Sequence, residues 1–210
     1  MTAALIPATI RDLTFDDFLL WDDGTDRSFE LLDGMPVPLS EPNANHEDVA
    51  DELGDWLQSH CRSRSLPYVV KRIKQVRLKR SVGEKEASRK PDFVVFDRAE
   101  WERMKGRSSP AAAYVCPPLV IEVVSTNWRD DYMTKLAEYE ELGIAEYWIV
   151  DFAALGGIRF IGEPKQPTIS IYIIVNGEYQ VRQFRAEERL VSRTFPDLTL
   201  TATEIFAAAR

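Results

Sequence analysis

The apolar residues of this chain recur at two spacings, which predict a fold that alternates helices with strands. In residues 45–60, Val49, Leu53, Trp56 and Leu57 recur at helical spacing. This pattern predicts an amphipathic helix that is capped by Asn45 and packs on a sheet. Further helices are predicted over residues 13–21 with Thr14 as cap, over residues 130–142 with Gly143 as the C-terminal cap, and over residues 203–209.

Short apolar runs predict the strands. Two of them, residues 28–32 and 35–39, flank an Asp33-Gly34 turn, and Asn176-Gly177 marks a second hairpin. The predicted strands are 28–32, 35–39, 67–70, 75–78, 92–96, 119–124, 146–151, 158–161, 169–175 and 179–184. The run LVIEVV at residues 119–124 is the most apolar and is predicted to be a central strand. We therefore expect an α/β fold with a mixed β-sheet flanked by α-helices.

Composition limits the organisation and the location of the protein. A chain of 210 residues, 45% of them hydrophobic, can build one sizeable core. No linker or repeat is visible, so residues 1–210 are predicted to form a single domain. No stretch has the length of a membrane span and no targeting signal is present, so we expect a cytoplasmic protein without a membrane partner. Cys61 and Cys116 have no spacing typical of zinc ligands.

Charge is distributed unevenly along the chain. The net charge is −8, yet residues 71–90 contain nine Lys or Arg against two Glu. A basic stripe on an acidic protein is what a polyanion-binding enzyme needs, although a solvated strand and loop would look the same.

Two carboxylates are candidates for chemistry. Glu122 lies inside the most apolar strand, where burial is costly unless a positive group compensates it. Asp92 follows Lys90-Pro91 at the start of another strand. Two carboxylates on neighbouring strand ends would suit Mg²⁺. The alternative is that Glu122 faces an edge or pairs with a core arginine.

A lysine lies on the helix that follows Glu122. Asp131, Lys135 and Tyr139 share one helical face at four-residue spacing. Either Asp131 and Lys135 form an exposed ion pair that contributes little, or the ammonium lies over the metal site and stabilises charge on a phosphate.

These residues together resemble the PD-(D/E)XK nuclease superfamily, and within it the Uma-two branch of restriction-endonuclease-like proteins. The resemblance covers nearly the whole chain and rests on Pro91-Asp92, Glu122 in LVIEVVS, Asp131-x3-Lys135-x3-Tyr139-x3-Gly143-Ile144-x-Glu146-Tyr147-Trp148-x-Val150-Asp151, the hairpin from Phe29-Glu30 to Gly34, and His46. It implies a restriction-endonuclease-like fold and hydrolysis of DNA phosphodiester bonds with Mg²⁺, or Mn²⁺ in its place. It also implies that Asp92, Glu122 and the Val123 carbonyl hold the metal.

The chain departs from the superfamily pattern at Val124, where the motif has its lysine. Lys135 is our candidate for the replacement, with Lys74 or Lys71 second. Glu30 resembles an additional acidic residue of the site, or is an outward-facing hairpin carboxylate. His46 is either a proton shuttle or a polar residue of the helix cap. The resemblance further implies that DNA phosphates contact basic residues of the stripe, and by analogy it suggests a homodimer. The predicted phosphate contacts are Lys71, Lys74, Arg77, Lys79 and Lys90.

The sequence allows three other interpretations. The substitution at Val124 could leave a catalytically inactive DNA-binding or regulatory module, or the chain could be an unrelated α/β domain whose Glu122 is satisfied by Arg or Lys. The substrate could also be RNA or a structured junction, because no segment resembles a base-reading helix or an aromatic stacking platform.

Overall fold

A computed structural model describes residues 12–78, 83–107 and 109–209. The helices are α1 Phe15–Leu20, α2 Ala44–Ser63, α3 Arg98–Lys105, α4 Lys135–Leu142, α5 Ile158–Ile161 and α6 Ala202–Ala207, and a π-helical segment, Asp130–Thr134, leads into α4. The strands are β1 Phe29–Leu32, β2 Met35–Pro38, β3 Tyr68–Arg72, β4 Val76–Arg77, β5 Ser88–Arg89, β6 Phe93–Asp97, β7 Leu119–Val123, β8 Glu146–Asp151, β9 Thr168–Val175 and β10 Glu178–Phe184.

A six-stranded mixed sheet forms the centre of the fold. Its strand order is β10-β9-β8-β7-β6-β3, so β7 is an interior strand, as predicted. Strands β7 and β8 are parallel and are joined through α4, whereas the other neighbours are antiparallel. All five residues of β7 are buried, because both faces of the sheet are covered.

Two hydrophobic cores occupy the two faces of this sheet. One contains Val49, Leu53 and Leu57 of α2 with Ile121 and Val123 of β7. The other contains Tyr139 of α4 with Val120 of β7 and with Val124, the first residue after β7. Because side chains alternate along a strand, Glu122 belongs to the α4 face.

A smaller sheet, β2-β1-β5-β4, packs with α1 beside the main one. Its core contains Phe15 and Phe18 of α1 with Phe29 and Leu31 of β1. The Asp33-Gly34 turn joins β1 to β2 as predicted, since both residues have positive φ. Thr14 caps α1 by accepting a hydrogen bond from the Asp17 amide, also as predicted.

Some predicted elements differ from the structure. The cap of α2 is Asn43 rather than Asn45, because the Asn43 side chain accepts from the His46 amide. Residues 158–161 form the short helix α5 instead of a strand, which is the usual ambiguity of a four-residue apolar run. Strand β5 and helix α3 were not predicted. Gly143 ends α4 in the left-handed conformation as expected, with φ 84°. In the part of the chain that is described, no helix is long and apolar enough to cross a membrane.

Candidate active site

Asp92 and Glu122 meet across two neighbouring strands. Phe93 is paired with Ile121 in the antiparallel register of β6 and β7, which sets Asp92, the residue before β6, opposite Glu122. The Oδ2 atom of Asp92 accepts a 2.7 Å hydrogen bond from the Val123 amide. The Asp92 side chain keeps 18% of its surface exposed. Asp92 is therefore partly open to solvent, whereas Glu122 is buried.

Glu122 is buried but has two polar partners. Its Oε1 atom lies 3.1 Å from the Lys135 ammonium and accepts a 3.0 Å hydrogen bond from the Tyr139 hydroxyl. Burial raises the pKa of Glu122 to about 8 against the opposing charge of Lys135, and the carboxylates of Asp131, Asp92 and Glu30 add to the increase.

Lys135 and Asp131 form an ion pair that is buried, not exposed. The ammonium of Lys135 lies 2.9 Å from Oδ1 of Asp131, and both side chains are about nine-tenths enclosed. The pKa of Lys135 is raised well above its ordinary value, because Glu122 and Asp131 outweigh the effect of burial. The Lys135 amide bonds the Asp130 carbonyl five residues back, so the π-helical turn sets where this side chain leaves the helix. Such turns often occur at functional sites.

His46 belongs both to the helix cap and to the site. Its amide donates to Asn43, whereas its ring is buried with Nε2 2.9 Å from the Val123 carbonyl oxygen and 3.4 Å from Oδ2 of Asp92. Nε2 carries the proton in this contact, because a carbonyl can only accept. Burial lowers the pKa of His46, but Asp92 and the Val123 carbonyl outweigh it and the net shift is upward.

Glu30 faces inward and is bound by Arg89. The Glu30 carboxylate accepts from the Arg89 guanidinium at 2.9 Å and from the Lys90 amide at 2.8 Å, and it is 2% exposed. It is therefore not an outward-facing hairpin carboxylate. Arg89 also contacts Glu138 at 2.6 Å and Asp130 at 3.4 Å, so one buried guanidinium joins β1, the π-helical segment and α4.

Sequence reasoning missed this arginine. Arg89 is one of nine basic residues in residues 71–90, and no local pattern sets it apart from the others. The carboxylates that it binds lie 41 to 59 residues away along the chain, so no short motif indicates the contact.

The basic residues of residues 71–90 do not share one environment. Lys74 and Lys90 lie close enough that burial and the charge of Lys74 both lower the pKa of Lys90. Arg77 pairs with Glu86, and the Lys71 ammonium lies 4.6 Å from the centre of the Trp101 ring. Lys79 lies outside the described residues. Lys74 and Lys90 are next to the site, because the Ile73 amide bonds the Asp92 carbonyl.

The oxygen atoms at this edge of the sheet fit a hard divalent cation that keeps most of its water. Within residues 12–78, 83–107 and 109–209, no group of three or more His, Cys, Asp or Glu side chains is arranged to hold a metal ion. Mg²⁺, however, is usually bound by one or two carboxylates together with water and phosphate oxygens. Asp92 and Glu122 supply two carboxylates, and the Val123 carbonyl has a second lone pair beside the one that His46 uses.

Comparison with known proteins identifies the relatives of this chain. A family described as "Uma2: Putative restriction endonuclease" matches residues 15–203. A crystal structure from Anabaena variabilis, described as "a putative nuclease belonging to DUF820", superimposes with a TM-score of 0.71 over 94% of this chain and 99% of that one, at 16% identity. At this identity the match shows the fold, which is the expected restriction-endonuclease-like α/β fold. No curated protein matches the chain.

Proposed function

The chain belongs to the Uma2 family, and we propose that it is a Mg²⁺-dependent endonuclease that hydrolyses DNA phosphodiester bonds. One observation carries the proposal: the ammonium of Lys135 lies 3.1 Å from Glu122, which is opposite Asp92 on the neighbouring strand. Two carboxylates with an adjacent lysine are the groups that this reaction needs, and here the lysine comes from α4 instead of β7.

Asp92, Glu122 and the Val123 carbonyl would hold the metal, either Mg²⁺ or Mn²⁺. When bound, such an ion lowers the pKa of a coordinated water and neutralises charge on the phosphate. Asp92 is the more exposed of the two carboxylates, so it would meet the ion and its water first. Glu30 bonds Arg89 and the Lys90 amide, and we assign it to holding the segment before Asp92 rather than to the metal.

Lys135 would place its charge beside the scissile phosphate. The ammonium has three protons, and Asp131 and Glu122 occupy two of them. The third remains for an oxygen of the phosphate or of the attacking water, where a fixed charge stabilises the negative charge that develops. Asp131 holds the ammonium, and Tyr139 holds the carboxylate, so both act by positioning.

Lys74 and Lys90 are the basic residues that we assign as phosphate contacts, because they flank Asp92. The Lys90 ammonium donates a 3.0 Å hydrogen bond to the Ser28 hydroxyl and would exchange this partner for a phosphate. Such contacts orient a duplex without reading its sequence. Arg77 and Lys71 have other partners, and Lys79 stays a prediction, as does the homodimer that would cut both strands.

The proposal is tested by nicking of supercoiled plasmid with Mg²⁺, with Mn²⁺ and with EDTA, comparing the wild type with Asp92→Asn. We expect nicking by the wild type with either metal, none in EDTA, and loss of nicking in the variant at unchanged thermal stability. Retained DNA binding without any metal-dependent nicking would instead establish an inactive DNA-binding module.

A further inference from the structure

Two partly buried aromatic side chains lie at the same edge of the sheet as Asp92 and Glu122. Trp128 belongs to the loop that follows β7, and Phe160 belongs to α5, which follows β8. Because β7 and β8 are parallel, their carboxyl ends and these two segments share one edge. The rings of Trp128 and Phe160 lie 6.1 Å apart, and Tyr132 stacks under Phe160 at 5.0 Å.

The position of the Trp128 ring is fixed by its neighbours. A Cβ atom at Gly157 would lie 2.8 Å from this ring, so only glycine allows the indole to pack this closely on the chain before α5. The next residues after Trp128 are Arg129 and the carboxylates of Asp130 and Asp131, of which Asp131 holds Lys135. Asp131, three positions after Trp128 in the sequence, therefore links this segment to Lys135 in the proposed active site.

An exposed guanidinium lies on each of the two rings. Arg129 is 4.6 Å from the centre of the Trp128 ring, and Arg159 is 5.1 Å from that of Phe160. Neither arginine forms an ion pair with any residue that the structure describes, although the chain carries a net charge of −8. Both arginines are exposed, so the guanidinium planes that lie on these rings are open to solvent, and an unpaired base can stack on them.

We propose that Trp128 and Phe160, with Arg129 and Arg159, form a stacking surface for unpaired bases of a nucleic acid strand at the cleavage site. Aromatic rings bind the faces of bases, and uncompensated arginines bind phosphates and add cation–π attraction. A paired base inside a duplex offers no free face. This inference rests on the proposed function and names its substrate: a strand that is single or locally opened beside the bond to be cut.

The arrangement could not be recognised in the sequence. Trp128 and Phe160 are 32 residues apart, and they meet only because α4 and β8 return the chain to the same edge. The expectation that the chain lacks an aromatic stacking platform is replaced by this proposal.

Binding to fluorescent DNA in EDTA tests the inference separately from cleavage. The probes are a labelled 16-nucleotide single strand and the blunt duplex of the same sequence, followed by fluorescence anisotropy. We expect the wild type to prefer the single strand. Trp128→Ala should weaken that binding by about 5- to 150-fold, the effect of losing one base stack, while duplex binding changes less than about twofold.

Two further variants complete the experiment. Arg182→Ala is the matched control, because Arg182 lies 4.9 Å from the Phe184 ring on the opposite face of the sheet, and it should leave binding unchanged. Arg129→Gln, an exposed change, should weaken single-strand binding even if Trp128→Ala does not fold. The inference would be overturned if the wild type bound both probes with equal affinity or bound neither. It would also be overturned if neither Arg129→Gln nor folded Trp128→Ala weakened binding of the single strand. The binding assay contains no metal and does not depend on cleavage. A failure to nick plasmid with Mg²⁺ or Mn²⁺ would therefore overturn the proposed function and leave the binding result unaffected.

Discussion

The ammonium of Lys135 lies 3.1 Å from the carboxylate of Glu122, although the two residues come from different elements. In the PD-(D/E)XK pattern that the sequence resembles, the lysine follows the acidic residue by two positions, and this chain has Val124 there. The Val124 side chain is buried in the core under α4. The positive charge beside Glu122 therefore comes from Lys135 of α4, whereas Val124 at the end of the strand contributes only to packing.

The charge state of Glu122 makes the metal-free protein sensitive to pH. Its pKa in the folded protein is raised to about 8, from 4.5 ordinarily, chiefly by burial. Between pH 4.5 and pH 8 the folded state keeps a proton on Glu122 that the unfolded state has lost. The contribution of Glu122 to the free energy of unfolding is therefore greatest below pH 4.5 and is lost as the pH rises through 8. Urea unfolding at pH 5 and pH 8 should show a smaller decrease for Glu122→Gln than for the wild type. Parallel pH dependence of the two proteins would contradict the assignment.

Arg89 is expected to stabilise the fold more than any exposed ion pair does. Arg89→Met leaves Glu30, Glu138 and Asp130 without their shared cation, and Glu30 is buried. Breaking a buried pair from one side typically costs about 3–5 kcal/mol in the free energy of unfolding. Arg77→Met, which removes a more exposed partner of Glu86, should cost less than about 1 kcal/mol. If chemical denaturation showed that Arg89→Met lowers the free energy of unfolding by no more than about 1 kcal/mol, as expected for Arg77→Met, the Arg89 network would not be structural.

His46 is expected to position the metal ligands. Without the imidazole, the Val123 carbonyl loses a 2.9 Å hydrogen bond and Asp92 loses a neighbour at 3.4 Å. Loss of such outer partners typically lowers metal affinity about 10- to 100-fold, and calorimetric titration of His46→Ala with Mn²⁺ should show a decrease of this size. His60→Ala removes the other histidine, which bonds the Pro196 carbonyl, and should bind Mn²⁺ as the wild type does. Unchanged affinity in His46→Ala would exclude the positioning role.

Much of the fold could be predicted because its local signals agree with one another. The apolar run at residues 119–124, the Asp33-Gly34 and Asn176-Gly177 turns, and the glycine that ends α4 each specify one local structure, and all are observed. Residues 158–161 were assigned wrongly because four apolar residues have no distinctive period. Strand β5 has only two residues, which is too short for any pattern.

The site was predictable only where the chemistry was local. The costly carboxylate in β7 indicated that Glu122 needs a positive partner, and Lys135 is such a partner. The burial of that pair, the inward orientation of Glu30 and the contact of His46 with Val123 depend on how separate elements pack. No spacing along the chain encodes these contacts.

The role of Lys135 is tested most directly by single-turnover cleavage of DNA by Lys135→Gln, with the Mn²⁺ affinity measured on the same samples. Loss of one fixed hydrogen-bond donor to a developing anion typically slows a reaction about 10²- to 10³-fold, and we predict a decrease of this size with metal affinity within a few-fold of the wild type. Lys165→Gln, at an exposed lysine that bonds the Leu155 carbonyl, is the control and should cleave normally. Cleavage by folded Lys135→Gln at the wild-type rate would contradict the account.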